Sequence, residues 1–182
     1  MTSKTPSPVS DLSISSLVAN ISDQILGQHT ALDDLVLVGI VSKGVPIAKR
    51  IQQHILRKTG SKPPVGKLDI TLFRDDLDRN QFVDIQETDI PCDLSKKNLI
   101  LVNDVLHHGR MIRAALNALL DFGRPAKIEL AVLLDRNEVE IPVFAHYVGE
   151  RMQLETTDQL HVNLLEIDGE DKITHRADQS PN

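Results

Sequence analysis

Three short apolar runs of β-forming residues limit what this chain can fold into. Residues 35–40 read LVLVGI, residues 98–102 read NLILV and residues 127–134 read KIELAVLL. Runs without polar alternation belong to strands covered on both faces, as in parallel sheets. The sequence between them carries a helical period. Ile47, Ala48, Ile51 and Ile55 recur at three- and four-residue spacing, and so do Ile112, Ala115, Leu116 and Leu119. Ile14, Leu17, Val18, Ile21 and Ile25 predict an opening helix capped by Asp11 or Ser13 and stopping near Gly27. Strand, turn, helix, strand alternation predicts an α/β fold with a largely parallel sheet flanked by helices.

The remaining segments give weaker patterns. Residues 68–73 (LDITLF) alternate and predict a strand with one exposed face, whereas the polar stretch 74–91 predicts a hairpin or mobile loop. Residues 146–148 and 161–167 predict shorter strands. Pro46 suits the first turn of the second helix, Gly60 its end, and Gly123 the end of the helix before the third run. Leu116 and Ile128 are expected in the core. The 182 residues suit one domain, over 11–169, between flexible tails at 1–10 and 170–182.

Composition excludes several function classes. A net charge of −6, from 20 basic and 26 acidic residues, argues against bulk attraction to nucleic acid. With 3% aromatics and no Trp, a stacking platform for single-stranded bases is not expected. Cys92 is the only cysteine, which excludes an internal disulfide, a cysteine-based zinc site and a CxxC pair, and predicts a buried spacer. The first ten residues lack the apolar core of a signal peptide, and no run reaches the length of a membrane span. A cytoplasmic location is the expectation.

In open parallel sheets, ligands sit where strand carboxyl ends meet helix amino ends, here after Ile40, Val102 and Leu134. Gly39 and Gly44 have the spacing of a phosphate loop, but Val45 and Pro46 stand where that motif needs Lys and then Ser or Thr. A nucleoside-triphosphatase is thereby excluded. Residues 103–111 (NDVLHHGRM) are more informative. An amide and an acid at a strand end accept or share hydrogen bonds with ribose hydroxyls. A Gly-Arg turn into a helix offers N–H groups to a phosphate.

At this point the sequence resembles the bifunctional pyrimidine operon regulators. The likeness runs through residues 98–136 (NLILVNDVLHHGRMIRAALNALLDFGRPAKIELAVLLDR), 37–51 (LVGIVSKGVPIAKRI), 68–77 (LDITLFRDDL), 89–94 (DIPCDL) and 141–149 (IPVFAHYVG). It spans residues 12–149 in order. The resemblance implies a type I phosphoribosyltransferase fold and formation of UMP from uracil and phosphoribosyl pyrophosphate, with Mg2+ accompanying the latter. It further implies control by UMP or UTP, contact with RNA, and a homo-oligomer, dimer or tetramer. A metal site made by protein alone is not expected.

Roles follow by resemblance. Asp104 matches the second of two family acids and is the catalytic candidate, with Asn103 where the first acid stands. Gly109 and Arg110 match the phosphate turn; His107 joins them, while His108 and Met111 replace family hydroxyl residues. Ser42, Lys43 and Gly44 match the pyrophosphate turn, in which Val41 replaces one of two cations. Arg74, Asp75 and Asp76 match a charged loop that contacts pyrophosphate or is flexible. Asp135 and Arg136 fall on the base side. Asn137-Glu138-Val139-Glu140 replaces Gly-His-Arg-Glu, and basic positions are lost at Val41, Val139 and Phe144.

Asn103 brings no charge to a developing cationic sugar, and Met111 gives no hydroxyl to a phosphate. Each lost charge-assisted contact costs about 1.5–3 kcal/mol. The alternative reading is therefore a non-catalytic pyrimidine-nucleotide-binding regulator or oligomer partner. His107 and His108 are not read as metal ligands, because adjacent loop histidines are expected to point apart and no third ligand has motif spacing. Lys49, Arg50, Arg57, Lys58, Lys62 and Lys67 form either a basic face for RNA or a solvated helix face.

Overall fold

A computed structural model describes residues 12–75, 85–154 and 158–176. The expectations for residues 1–11, for Asp76 and the stretch to residue 84, and for residues 177–182 lie outside these described residues. The three apolar runs form the centre of a five-stranded sheet in the order β2-β1-β3-β4-β5, every pair parallel. β1 is Leu35–Ile40, β2 Val65–Leu68, β3 Asn98–Leu106, β4 Lys127–Asp135 and β5 Tyr147–Arg151. All six residues of β1 are buried, as an unalternated run requires.

Helices cover both faces. α1 (Ile14–Gln28) and α2 (Gly44–Thr59) pack on the side of Leu35, Leu37, Ile100, Val102, Ala131 and Leu133. α3 (Arg110–Leu119) covers Val36, Val38, Leu99, Leu101, Leu130 and Val132. Alternate residues of each strand thus feed two cores as far as Val102; beyond it the alternation breaks, for Val105 packs on the α1/α2 core and Leu106 on the α3 core. Leu116 and Ile128, expected in the core, are half-buried at the margin of the α3 side. Cys92 packs at that margin too. Ser13 occupies the first cap position without a side-chain cap bond, and α1 passes through Gly27 to end at Gln28.

Several expected boundaries are corrected. The strand predicted at 68–73 ends at Leu68, and Thr71–Phe73 is a 3-10 turn. Asp69 diverts the backbone: its carboxylate accepts the N–H of Thr71 at 2.8 Å and of Gln86 at 2.5 Å, which competes with a sheet ladder. Asp89 forms an isolated antiparallel bridge with Lys67. β3 continues past Val102 to Leu106 because β4 offers it partners as far as Asp135. The strand predicted at 161–167 becomes β6 (Gln159–Asn163) and then α4 (Leu165–Asp168), whose start is fixed when Leu164 N donates to Asp168 Oδ2 at 2.8 Å.

The flexible tail expected from residue 170 is also corrected over Lys172–Arg176, which is β7, paired antiparallel with β6. A lone hairpin is marginal in water. This one is anchored by Val162 and Ile173, 1% and 4% exposed in the α1/α2 core. Each such burial contributes about 1.5–3 kcal/mol. No helix of the described residues is long and apolar enough to cross a membrane.

Candidate functional site

The carboxyl ends of β1, β3 and β4 meet the amino ends of α2 and α3, and two glycines draw the first turn tight. A Cβ at Gly39 would lie 2.5 Å from Val45 Cα, and one at Gly44 would overlap the carbonyl oxygen of Val102. The start of α2 therefore rests directly on the end of β3. Gly44→Ala is expected to lower stability by about 1–3 kcal/mol, because backbone must move. An unchanged denaturant midpoint would contradict that packing.

Asp104 lies near Lys43, at the turn before α2, and feels its charge. Its Oδ1 accepts the N–H of Val105 at 2.9 Å. Desolvation raises its pKa, while that hydrogen bond and the nearby Lys43 charge work the other way. Asn103 is 3% exposed, its Nδ2 donating to Val105 O at 3.0 Å. The two residues expected to act as a pair thus differ: one half-buried carboxylate at the site and one buried amide bound to backbone.

The second turn runs His107-His108-Gly109 into α3. Gly109 has φ +85° and would place a Cβ 2.6 Å from Val143 Cγ2, so the left-handed turn and its cover both require glycine. That cover is the chain after β4. Arg136 N donates to Leu106 O, and Glu140 N to His108 O, each at 3.0 Å. The histidines do not point apart as expected: their rings stack with centroids 3.5 Å apart at 29°. The cover explains it, since Glu138 Oε2 lies 3.2 Å from His107 Nε2 and Glu140 Oε1 lies 3.9 Å from His108 Nε2, drawing both rings the same way. Burial lowers the His107 pKa, helped by Arg136 and His108 and opposed by Glu138. Among the described residues no cluster of three or more His, Cys, Asp or Glu could hold a metal ion.

Arg110 pairs with Glu140 at 2.7 Å and with Asp75 at 3.5 Å, and Arg113 pairs with Asp75 at 2.7 Å. Asp75 is thereby joined to α3, while Arg74 beside it is exposed. Met111 is half-buried at the margin of the α3 core. Ser42 is exposed in the first turn, and Lys43 Nζ donates to Val162 O and lies 3.5 Å from Asp168 Oδ2.

Asp135 and Arg136 are 7% and 4% exposed. Asp135 Oδ1 accepts the N–H of Asn137 at 2.9 Å, and Arg136 donates to Asp158 O at 2.9 Å and pairs with Glu138 at 3.0 Å. They brace the cover and the β6–β7 hairpin. Glu138 and Glu140 enter the sequence reading only as members of segment 137–140, where the basic character of the resembled family is lost at Glu138 and Val139, and nothing there singles out Asp158 or Asp168. The signal for Glu138 is an acid in place of a basic family residue just past a strand end, while Glu140 matches the family; the partners of both follow only from the β3–β4 pairing.

The arrangement offers one carboxylate between two helix-opening turns, each suited to an oxyanion by its backbone N–H groups and one by a lysine. A separate cavity of 520 Å³ lies at the opposite end of the sheet, bordered by Gln24, Lys127, Glu129, His146 and Tyr147. There the Glu129 carboxylate meets His29 Nε2 at 2.6 Å and Tyr147 Oη at 3.0 Å, a satisfied structural network.

Comparison with known proteins accords with this geometry. Residues 11–162 match the phosphoribosyl transferase domain. The bifunctional proteins PyrR of Bacillus cereus (strain B4264) and Bacillus anthracis (strain A0248) are each 42% identical over 167 residues, covering 90% of this chain and 93% of theirs. A hypoxanthine phosphoribosyl transferase of Trypanosoma cruzi is 14% identical with a TM-score of 0.61, over 83% of each chain. A purine phosphoribosyltransferase of Pyrococcus horikoshii Ot3 is 18% identical with a TM-score of 0.57, over 77% of this chain and 83% of its own. The two solved structures share the fold.

Proposed function

Since this chain belongs to the phosphoribosyl transferase domain family, on the branch of the bifunctional PyrR proteins, we propose that it is a pyrimidine operon regulator with uracil phosphoribosyltransferase activity. Uracil and phosphoribosyl pyrophosphate give UMP and pyrophosphate. One observation carries this reading: Asp104 stands between the Gly44 turn and the Gly109 turn at the ends of β1 and β3.

Each group has a part that its chemistry suits. Asp104 accepts hydrogen bonds from the ribose hydroxyls and offsets positive charge on the sugar as its bond to pyrophosphate breaks. The N–H groups of residues 109–111 take the 5′-phosphate at the start of α3, with His107, His108 and Arg110 around it. Ser42, Lys43 and Gly44 take the pyrophosphate. Asp75 stays on α3, Arg74 is assigned to the pyrophosphate by resemblance alone, and Asp135 and Arg136 position the base side through the hairpin. The described residues fit Mg2+ only as a partner of the ligand's own oxygens, beside Asp104, for no three-ligand protein site exists among them. When bound, Mg2+ neutralises charge on the leaving pyrophosphate.

A second reading, regulation by UMP or UTP with catalysis weak or lost, is favoured by the acids over the second turn. Glu138 and Glu140 already engage His107 and Arg110, so an incoming phosphate meets competition there. RNA is the regulatory partner on the first reading, and the second acts through RNA or otherwise; the α2 face is partly neutralised, Arg50 binding Glu166 and Lys58 binding Asp23 at 2.6 Å. The protein works as a homo-oligomer in the cytoplasm. Steady UMP formation by the purified chain is the expected result. No product at millimolar uracil and phosphoribosyl pyrophosphate would remove the enzymatic part.

A further inference from the structure

Lys43 is the sole cation of the first turn, and a segment from the other end of the chain already holds it. Lys43 Nζ donates to Val162 O at the end of β6 and lies 3.5 Å from Asp168 Oδ2. Seven residues further along α2, Arg50 is clamped by the same segment. Its Nε and Nη2 donate to Glu166 at 2.8 and 2.5 Å, and its Nη1 and Nη2 donate to Asp171 at 2.7 and 2.8 Å. Asp168 is pre-set for its contact, since Leu164 N donates to its Oδ2 at 2.8 Å and Gly169, at φ +80°, turns the chain back toward Asp171. Three carboxylates thus lie along the amino-terminal half of α2, where the proposed ligand would bring its own anion.

We propose that Asp168 is an internal competitor for the pyrophosphate end of the ligand. The proposal rests on the reading of residues 42–44 as the pyrophosphate turn. Asp168 and Lys43 are only half-buried, so their attraction is weakened by water and exchanges readily. Pyrophosphate brings more charge than one carboxylate and can also bond the N–H groups at the start of α2. Its arrival breaks the Lys43–Asp168 pair and the Val162 contact together. The β6–β7 hairpin, joined to α2 through that contact and through Arg50, loosens as the ligand binds. Asp168 is then a specificity-determining residue: a ligand with no pyrophosphate does not pay for opening the pair and leaves the hairpin closed.

The test uses the full chain and inorganic pyrophosphate, followed by calorimetry and by hydrogen exchange of residues 159–163 and 172–176. Asp168→Asn keeps an acceptor for Leu164 N and removes the charge. It is expected to bind pyrophosphate about tenfold more tightly, and hairpin exchange in the unchanged chain is expected to rise on adding pyrophosphate but not uridine. A Glu166→Gln, Asp171→Asn double variant loosens the hairpin without touching Lys43 or Asp168, and it too is expected to gain affinity, which covers failure of the single variant to fold. Equal affinities with unchanged hairpin exchange overturn the competitor role while leaving the pyrophosphate turn intact. If no variant binds pyrophosphate, the turn assignment falls as well, and the competitor role with it.

Discussion

Asn103→Asp, His108→Thr and Met111→Thr together are expected to raise uracil phosphoribosyl transfer by the full chain at least tenfold. The triple change restores an acid beside Asp104 and two hydroxyls beside the second turn. Each restored charge-assisted contact is worth about 1.5–3 kcal/mol, and tenfold in rate requires about 1.4 kcal/mol of transition-state stabilisation. The gain is set low because the structure opposes part of the repair. Asn103 is buried with its amide donating to Val105 O, and a carboxylate there meets that oxygen without a proton to offer. Asn103→Asp alone should therefore lower the thermal midpoint even as it raises turnover. His108→Thr adds a second effect by unstacking His107 and releasing Glu140 from one of its partners. An unchanged rate in the triple variant would contradict the assignment of these positions to ligand contact.

Asp104→Asn should move stability and binding in opposite directions. The aspartate's pKa is raised in the folded chain, chiefly by desolvation. Folding then favours the protonated form, so ionisation destabilises the fold progressively as pH rises above the ordinary value of 3.8 and costs nothing below it. The asparagine variant should melt higher than the unchanged chain at pH 7, and the difference should vanish as pH falls through and below 3.8. Val105 N keeps an acceptor in the amide oxygen, so the local backbone is preserved. UMP binding should weaken by roughly 10–100-fold, the worth of one charge-assisted contact to the ribose hydroxyls. Equal melting at neutral pH would show that Asp104 is solvated rather than held for a ligand.

Legibility in the sequence followed the range of the interactions. β1, β3 and β4 could be read because, apart from Glu129 and the more distal Asn103 and Asp135, their buried residues are apolar on both faces, and the helices because their stripes are local. β2 was misplaced because LDITLF alternates well, whereas the real strand reads VGKL, and only its pairing with Leu37–Ile40 selects it. β7 reads KITHR, with Ile173 its one apolar residue, and its strand character comes from β6 and from a core far away in the chain.

The site divides in the same way. The strand-end position of Asp104 and the glycine turns were legible because the fold class fixes them. The use of Lys43 by Val162 and Asp168 was not, since those partners stand 119 and more residues away. Nor was the stacking of His107 on His108, which depends on two acids delivered by β4. Asp135 and Arg136 were located correctly at a strand end, but their bonds face the cover and hairpin that lie above them.

Titration of the purified chain with UMP, beside the Asp104→Asn variant, decides whether Asp104 builds a nucleotide site. Saturable heat at one site per chain is expected, with affinity weakened at least tenfold by the substitution. No heat with UMP, UTP or phosphoribosyl pyrophosphate, or equal binding by both proteins, would contradict a nucleotide site built on Asp104.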